Sequence, residues 1–129
     1  MDAAVLRSVP LFAELSEHDR ERIAMWADEI DVPEGKELAT EGDFAYEFFV
    51  ILDGTASVSH GGEVVAELGP DDYFGEIGLL ESERRTATVT ASSPLRAIVI
   101  FGPQFRHLER EMPELAQQIR TAIRERINR

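Results

Sequence analysis

Between Ile30 and Phe101 the apolar residues come in short runs cut by glycine, proline and acidic residues, with no sustained helical spacing. The runs Phe48-Phe49-Val50-Ile51-Leu52, Thr55-Ala56-Ser57-Val58-Ser59 and Val64-Val65-Ala66-Glu67-Leu68 are each bounded by turn residues. Those turn signals are Pro33-Glu34-Gly35, Glu41-Gly42-Asp43, Asp53-Gly54, Gly61-Gly62 and Gly69-Pro70-Asp71. They recur at intervals of roughly eight to eleven residues, the spacing of an all-β sandwich or barrel. His60-Gly61-Gly62-Glu63 predicts a tight hairpin between two of the runs. Thr86-Ala87-Thr88-Val89-Thr90 and Ala97-Ile98-Val99-Ile100-Phe101, separated by Ser92-Ser93-Pro94, predict further strands.

The two ends of the chain follow a different period. Residues 3–8 and 16–27 read as helices, the second opened by Ser16 as N-cap, with Ile23, Met25, Trp26 and Ile30 as its apolar contacts. After Phe101, Gly102-Pro103 opens a short helix carrying Phe105 and Leu108, and Pro113 suits the first turn of another. Leu115, Ile119, Ile123 and Ile127 then form an apolar stripe. The stripe alone does not distinguish a lid, a dimer seam and ordinary docking. The expected division is a single domain over residues 1–129. N-terminal helices fill residues 1–29, the β unit 30–102 and C-terminal helices 103–129.

Composition narrows the function classes. A chain of 129 residues with 43% hydrophobic content can bury a real core. No apolar run reaches membrane-spanning length and no signal-peptide pattern opens the chain, so a cytoplasmic location is expected. Cysteine is absent, which excludes disulfides and thiolate metal sites. The net charge of −12 argues against DNA as a partner, since proteins that bind the DNA backbone cluster Lys and Arg on one face. His18, His60 and His107 fall on a helix, a hairpin tip and another helix, and no Ser or Thr has an evident His partner. Neither a metal centre nor a catalytic triad is therefore expected, and the chain reads as a non-enzyme.

One stretch carries chemistry. Phe74-Gly75-Glu76-Ile77-Gly78-Leu79-Leu80 is followed by Arg85-Thr86-Ala87-Thr88-Val89. Gly75 permits close backbone approach, because no Cβ intervenes. Residues 76–80 suffice for one helical turn, whose first N–H groups lack internal partners and favour an anion. Arg85 supplies a planar fork for phosphate oxygens. Taken singly, each of these residues also fits a plain structural role.

In order and register the stretch closely resembles the phosphate-binding cassette of the cyclic nucleotide-binding domain family. That family supplies the regulatory domain of bacterial cyclic AMP receptor proteins, cyclic-nucleotide-dependent kinases and gated channels. The resemblance covers about residues 9–110, includes Gly35, Gly42 and Gly54, and places the cassette at 74–89. It implies an eight-stranded β jelly-roll barrel, mainly β, with flanking N-terminal and C-terminal helices. It also implies a cyclic nucleotide ligand, cyclic AMP or cyclic GMP, and no cofactor. Phosphate and ribose contacts would fall to Gly75, Glu76, Ile77, Gly78, Arg85 and Thr86, with Glu76 accepting a hydrogen bond from the ribose 2′-hydroxyl. Val58 and Ala66 match positions that line the base, and strand alternation puts them on the inner face; ordinary core packing explains them equally well.

The chain departs from the family at Arg84, where a proline is common, and Glu81 and Glu83 weaken the local positive field. Thr86 leaves the choice between cyclic AMP and cyclic GMP open, while the apolar Val58 and Ala66 lean toward cyclic AMP. The expected role is a sensor that signals by movement of its C-terminal helices. These would act on an effector protein or join a second copy, in a stand-alone chain or an excised regulatory piece. The competing reading is a ligand-silent jelly-roll that serves as a protein-interaction module.

Overall fold

The structure, a computed structural model, describes residues 1–43, 47–75 and 87–127, the last six of these by backbone alone. Three short helices come first: α1 (Ala3–Arg7), α2 (Pro10–Ala13) and α3 (Glu17–Ala24). Eight strands follow among the described residues: β1 (Ala27–Val32), β2 (Glu37–Ala39), β3 (Glu47–Asp53), β4 (Ala56–His60), β5 (Glu63–Leu68), β6 (Tyr73–Phe74), β7 (Thr88–Ala91) and β8 (Leu95–Phe101). Helices α4 (Gly102–Glu111) and α5 (Pro113–Ile127) end the chain.

The strands make two antiparallel four-stranded sheets, ordered β1-β8-β3-β6 and β2-β7-β4-β5. No strand of one sheet pairs with the other among the described residues, so the expected barrel is an open sandwich. The first sheet is the middle of three layers. Its central strands β3 and β8 are apolar along most of their length and buried on both faces. Alternation divides them. Phe48, Val50, Ile98 and Ile100 face the helices, where they meet Leu6, Phe12, Ile23, Phe105, Leu108, Leu115 and Ile119. Phe49, Ile51, Ala97 and Val99 face the second sheet, where they meet Ala39, Ala56, Val89 and Ala91.

Local signals account for most element ends. Ser16 Oγ accepts a hydrogen bond from the Asp19 N–H at 3.1 Å and starts α3. Gly61 and Gly62, at φ 59° and 82°, make the two-residue turn between β4 and β5. Gly54 turns β3 into β4 where a Cβ would sit 2.3 Å from the Pro94 carbonyl oxygen, so this close approach admits no side chain. At the other end of the fold, the Phe101 N–H donates to Gln104 Oε1 at 3.1 Å as β8 passes into α4.

The second helix was expected to reach residue 27, but α3 stops at Ala24. Residues from Ala27 onward pair with β8, from Ala27↔Ile100 to Val32↔Leu95. Met25, expected to pack in the core, is 77% exposed. Trp26 instead sets its ring edge-on to His107 of α4, with centroids 5.5 Å apart. The C-terminal stripe begins by docking: Leu115 and Ile119, joined by Ala116, are buried in the helical layer. Arg120 pairs with Glu109 of α4 and lies over the Phe105 ring, 5.6 Å from its centroid, which staples α5 to α4.

Candidate functional site

The two flanks of the cassette are anchored in different sheets. On the entry side, β6 pairs with β3 through Phe49↔Phe74 and Val50↔Tyr73. Phe74 stacks on Phe49, with centroids 4.8 Å apart and planes 19° from parallel. Tyr73 leans on Phe48, on the opposite face of β3, at 5.6 Å. The approach to β6 is a hydrogen-bonded turn. Asp72 Oδ2 accepts from the Gly69 N–H at 2.8 Å, and the Asp71 N–H donates to the Ile51 carbonyl at 2.8 Å. Gly75 follows at φ 84°, in the left-handed region that favours glycine.

On the exit side the chain joins the second sheet at Thr88. Strand β7 pairs with β4 through Ser59↔Thr88, Val58↔Val89 and Ala56↔Ala91. Of the expected phosphate and ribose contacts, Gly75 is therefore placed at the end of β6. Glu76, Ile77, Gly78, Arg85 and Thr86 lie outside the described residues.

The two expected base-wall residues come together. Val58 is the register partner of both Ala66 on β5 and Val89 on β7, so the three form one row across the sheet. Register partners share a face, and Val58 and Val89 identify that face as the inner one, packed toward Phe49, Ile51 and Phe74. Cover falls along the sheet: Ala56, Val89 and Ala91 are buried, Val58 is half-buried and Ala66 is exposed. Small side chains dominate the buried part of this face. Val89 was legible in the sequence only as part of an alternating strand; its place beside Val58 comes from strand order.

Leu115 and Ile119, the first two residues of the C-terminal stripe, are packed in the helical layer with Phe48 and Phe105. The first sheet separates them from Val58. Among the described residues no group of His, Asp and Glu could hold a metal ion. No described helix is long and apolar enough to cross a membrane.

The geometry can be set beside known proteins. Residues 29–111 match the cyclic nucleotide-binding domain family, and this chain belongs to it. It is 34% identical over 118 residues to a cAMP-dependent protein kinase regulatory subunit of Yarrowia lipolytica, covering 84% of this chain and 32% of that one. A cAMP-dependent protein kinase regulatory subunit of Eremothecium gossypii is 38% identical over 104 residues, covering 80% of this chain and 23% of that one. This chain thus spans a third or less of these relatives' length. The crystal structure of a putative cyclic nucleotide-binding protein from Geobacter metallireducens shares the fold with a TM-score of 0.87 at 22% identity. That likeness covers 97% of this chain and 94% of the other.

Proposed function

We propose that this domain binds cyclic AMP through its phosphate-binding cassette with the base against the row Val58, Ala66 and Val89, and regulates an effector through its C-terminal helices. Arg85 grips the exocyclic phosphate, with backbone N–H groups at Glu76, Ile77 and Gly78 beside it, and Gly75 lets that backbone come close. Glu76 takes the ribose 2′-hydroxyl, and Thr86 offers a hydroxyl at the phosphate or the base edge. The observation that carries this reading is that the two cassette flanks lie on opposite sheets of one interior, with the exit strand β7 supplying Val89 to the small-residue row beside Val58. The names of the two kinase regulatory relatives support cyclic AMP as the ligand. They also support a regulatory rather than catalytic role for a single domain spanning residues 1–129.

The route from ligand to helices runs through β3. Phe74 stacks on Phe49 at the ligand side, and Tyr73 leans on Phe48, which sits in one cluster with Phe105, Leu108 and Leu115. A pull on the residues after β6 is felt in the helical layer through these rings. A ligand shifts α4 and α5 only by binding one arrangement more tightly than another.

Calorimetric titration with cyclic AMP and cyclic GMP tests the reading. Saturable one-site binding with cyclic AMP the tighter ligand is expected. Absence of heat with both would leave the interaction-module reading, and tighter cyclic GMP binding that is lost in Thr86→Ala would reverse the base preference.

A further inference from the structure

We propose that Glu41 is a positioning residue that locks the β4–β5 hairpin, and with it the base wall, to the strand leaving the cassette. The inference rests on the cyclic AMP reading and deepens it. Glu41 lies in the turn after β2 and touches two distant parts of the chain. Its backbone N–H donates to Thr88 Oγ1 at 3.0 Å, across 47 residues. Its carboxylate Oε1 accepts from the Gly61 N–H at 3.0 Å, across 20 residues. The same oxygen stands 3.3 Å from His60 Nδ1. One residue therefore ties the hairpin tip to the first residue of β7, two positions beyond Thr86.

The hairpin needs such a tie. Among the described residues strand β5 is the edge of its sheet, paired only with β4, and its residues from Glu63 to Glu67 are exposed. Between the wall and the tip the register slips: Val58↔Ala66 is followed by Ser59↔Val64, leaving Val65 as an extra residue. A bulge bends and twists its strand, so the position of the tip decides where Ala66 points. A carboxylate accepting a backbone N–H makes a charge-assisted bond, roughly twice as strong as a neutral one. The contact to His60 adds little, because its side chain is 68% exposed. Glu41 thus acts on the base through Gly61 and the hairpin, without touching the ligand.

Binding of cyclic AMP and cyclic CMP to the wild-type protein, Glu41→Ala and Glu41→Gln tests this, because a purine leans on the wall over a larger area than a pyrimidine. Glu41→Ala should weaken cyclic AMP by about tenfold and cyclic CMP by less than about threefold, the loss of one charge-assisted bond acting on the larger base. Glu41→Gln, whose amide oxygen still accepts from Gly61, should restore most of the difference. Amide exchange at Gly61 should quicken in ligand-free Glu41→Ala and stay slow in Glu41→Gln. Equal losses for both nucleotides, or unchanged affinities, would overturn the role while leaving the cyclic AMP reading intact. A wild-type protein that binds neither nucleotide would overturn both.

Discussion

The two sheets of the sandwich are made of different side chains. Toward the shared interior the first sheet presents Phe49, Ile51, Phe74, Leu95 and Val99 around the small Ala97, whereas the buried positions of the second are Ala39, Ala56, Val89 and Ala91, with Val58 and Leu68 half-buried beside them. The first is covered on both faces, by helices and by its partner; the second has one face to solvent and an exposed edge strand in β5. Large side chains buried on both faces make a rigid slab, because burial of each aromatic or branched side chain contributes roughly 1.5–3 kcal/mol. A wall of small residues contributes less and leaves depth beside it. On the proposed reading, stability and binding fall to opposite sides of one interior, and the two flanks of the cassette lie one on each side.

The sharpest way to break that comparison is to truncate one residue in each sheet. Phe48 is fully buried between the first sheet and the helices. Phe48→Ala should cost ~3–5 kcal/mol in urea unfolding, the range for a buried aromatic truncated to alanine. Val58→Ala, in a half-buried wall, should cost less than about 1.5 kcal/mol and reveal itself in nucleotide affinity. Similar stability losses for the two would erase the distinction.

Binding should respond in the reverse sense. Arg85→Ala is expected to lose ~2–5 kcal/mol of cyclic AMP affinity, as when one partner of a buried charge pair is removed. Its urea midpoint should match that of the wild type. Titration of Glu76→Gln against cyclic AMP and its 2′-deoxy analogue sharpens this, since only the ribonucleotide should weaken. Equal losses would place the carboxylate away from the sugar.

Smaller effects probe the connections between the layers. At Gly54 a side chain meets the Pro94 carbonyl and must adopt φ 88°. Gly54→Ala should cost ~2–4 kcal/mol, combining left-handed backbone strain with overpacking, and lower the thermal midpoint without altering relative nucleotide preference. Ser16→Ala removes a single cap from α3 and should cost ~1 kcal/mol with no change in binding. A cap variant that changed affinity would show that the N-terminal helices take part in the site.

Much of this arrangement was legible in the sequence where a local rule was strong. Turn residues marked the strands, Ser16 marked the start of α3, and Gly61-Gly62 marked the hairpin. The cassette stood out because glycines, carboxylate and arginine agreed in register. The start of strand β1, at Ala27, was missed because Ile23, Trp26 and Ile30 imitate a helical stripe. Its pairing with β8 is a tertiary contact that overrides the local pattern. Strand β6, with two residues, is too short to show a period of two. The openness of the sandwich depends on which strands fail to pair, and no single segment encodes that. The Glu41 tie joins parts of the chain 20 and 47 residues apart and has no local signature at all.

The central claim is that a cyclic nucleotide lies against the small-residue wall of the second sheet. Methyl NMR of the protein titrated with cyclic AMP tests it most directly. The methyl groups of Val58, Ala66 and Val89 should shift saturably and in parallel, and those of Leu6 and Ile23, in the helical layer beyond the first sheet, should shift far less. Saturable binding that leaves the methyl groups of Val58, Ala66 and Val89 unmoved would contradict the account.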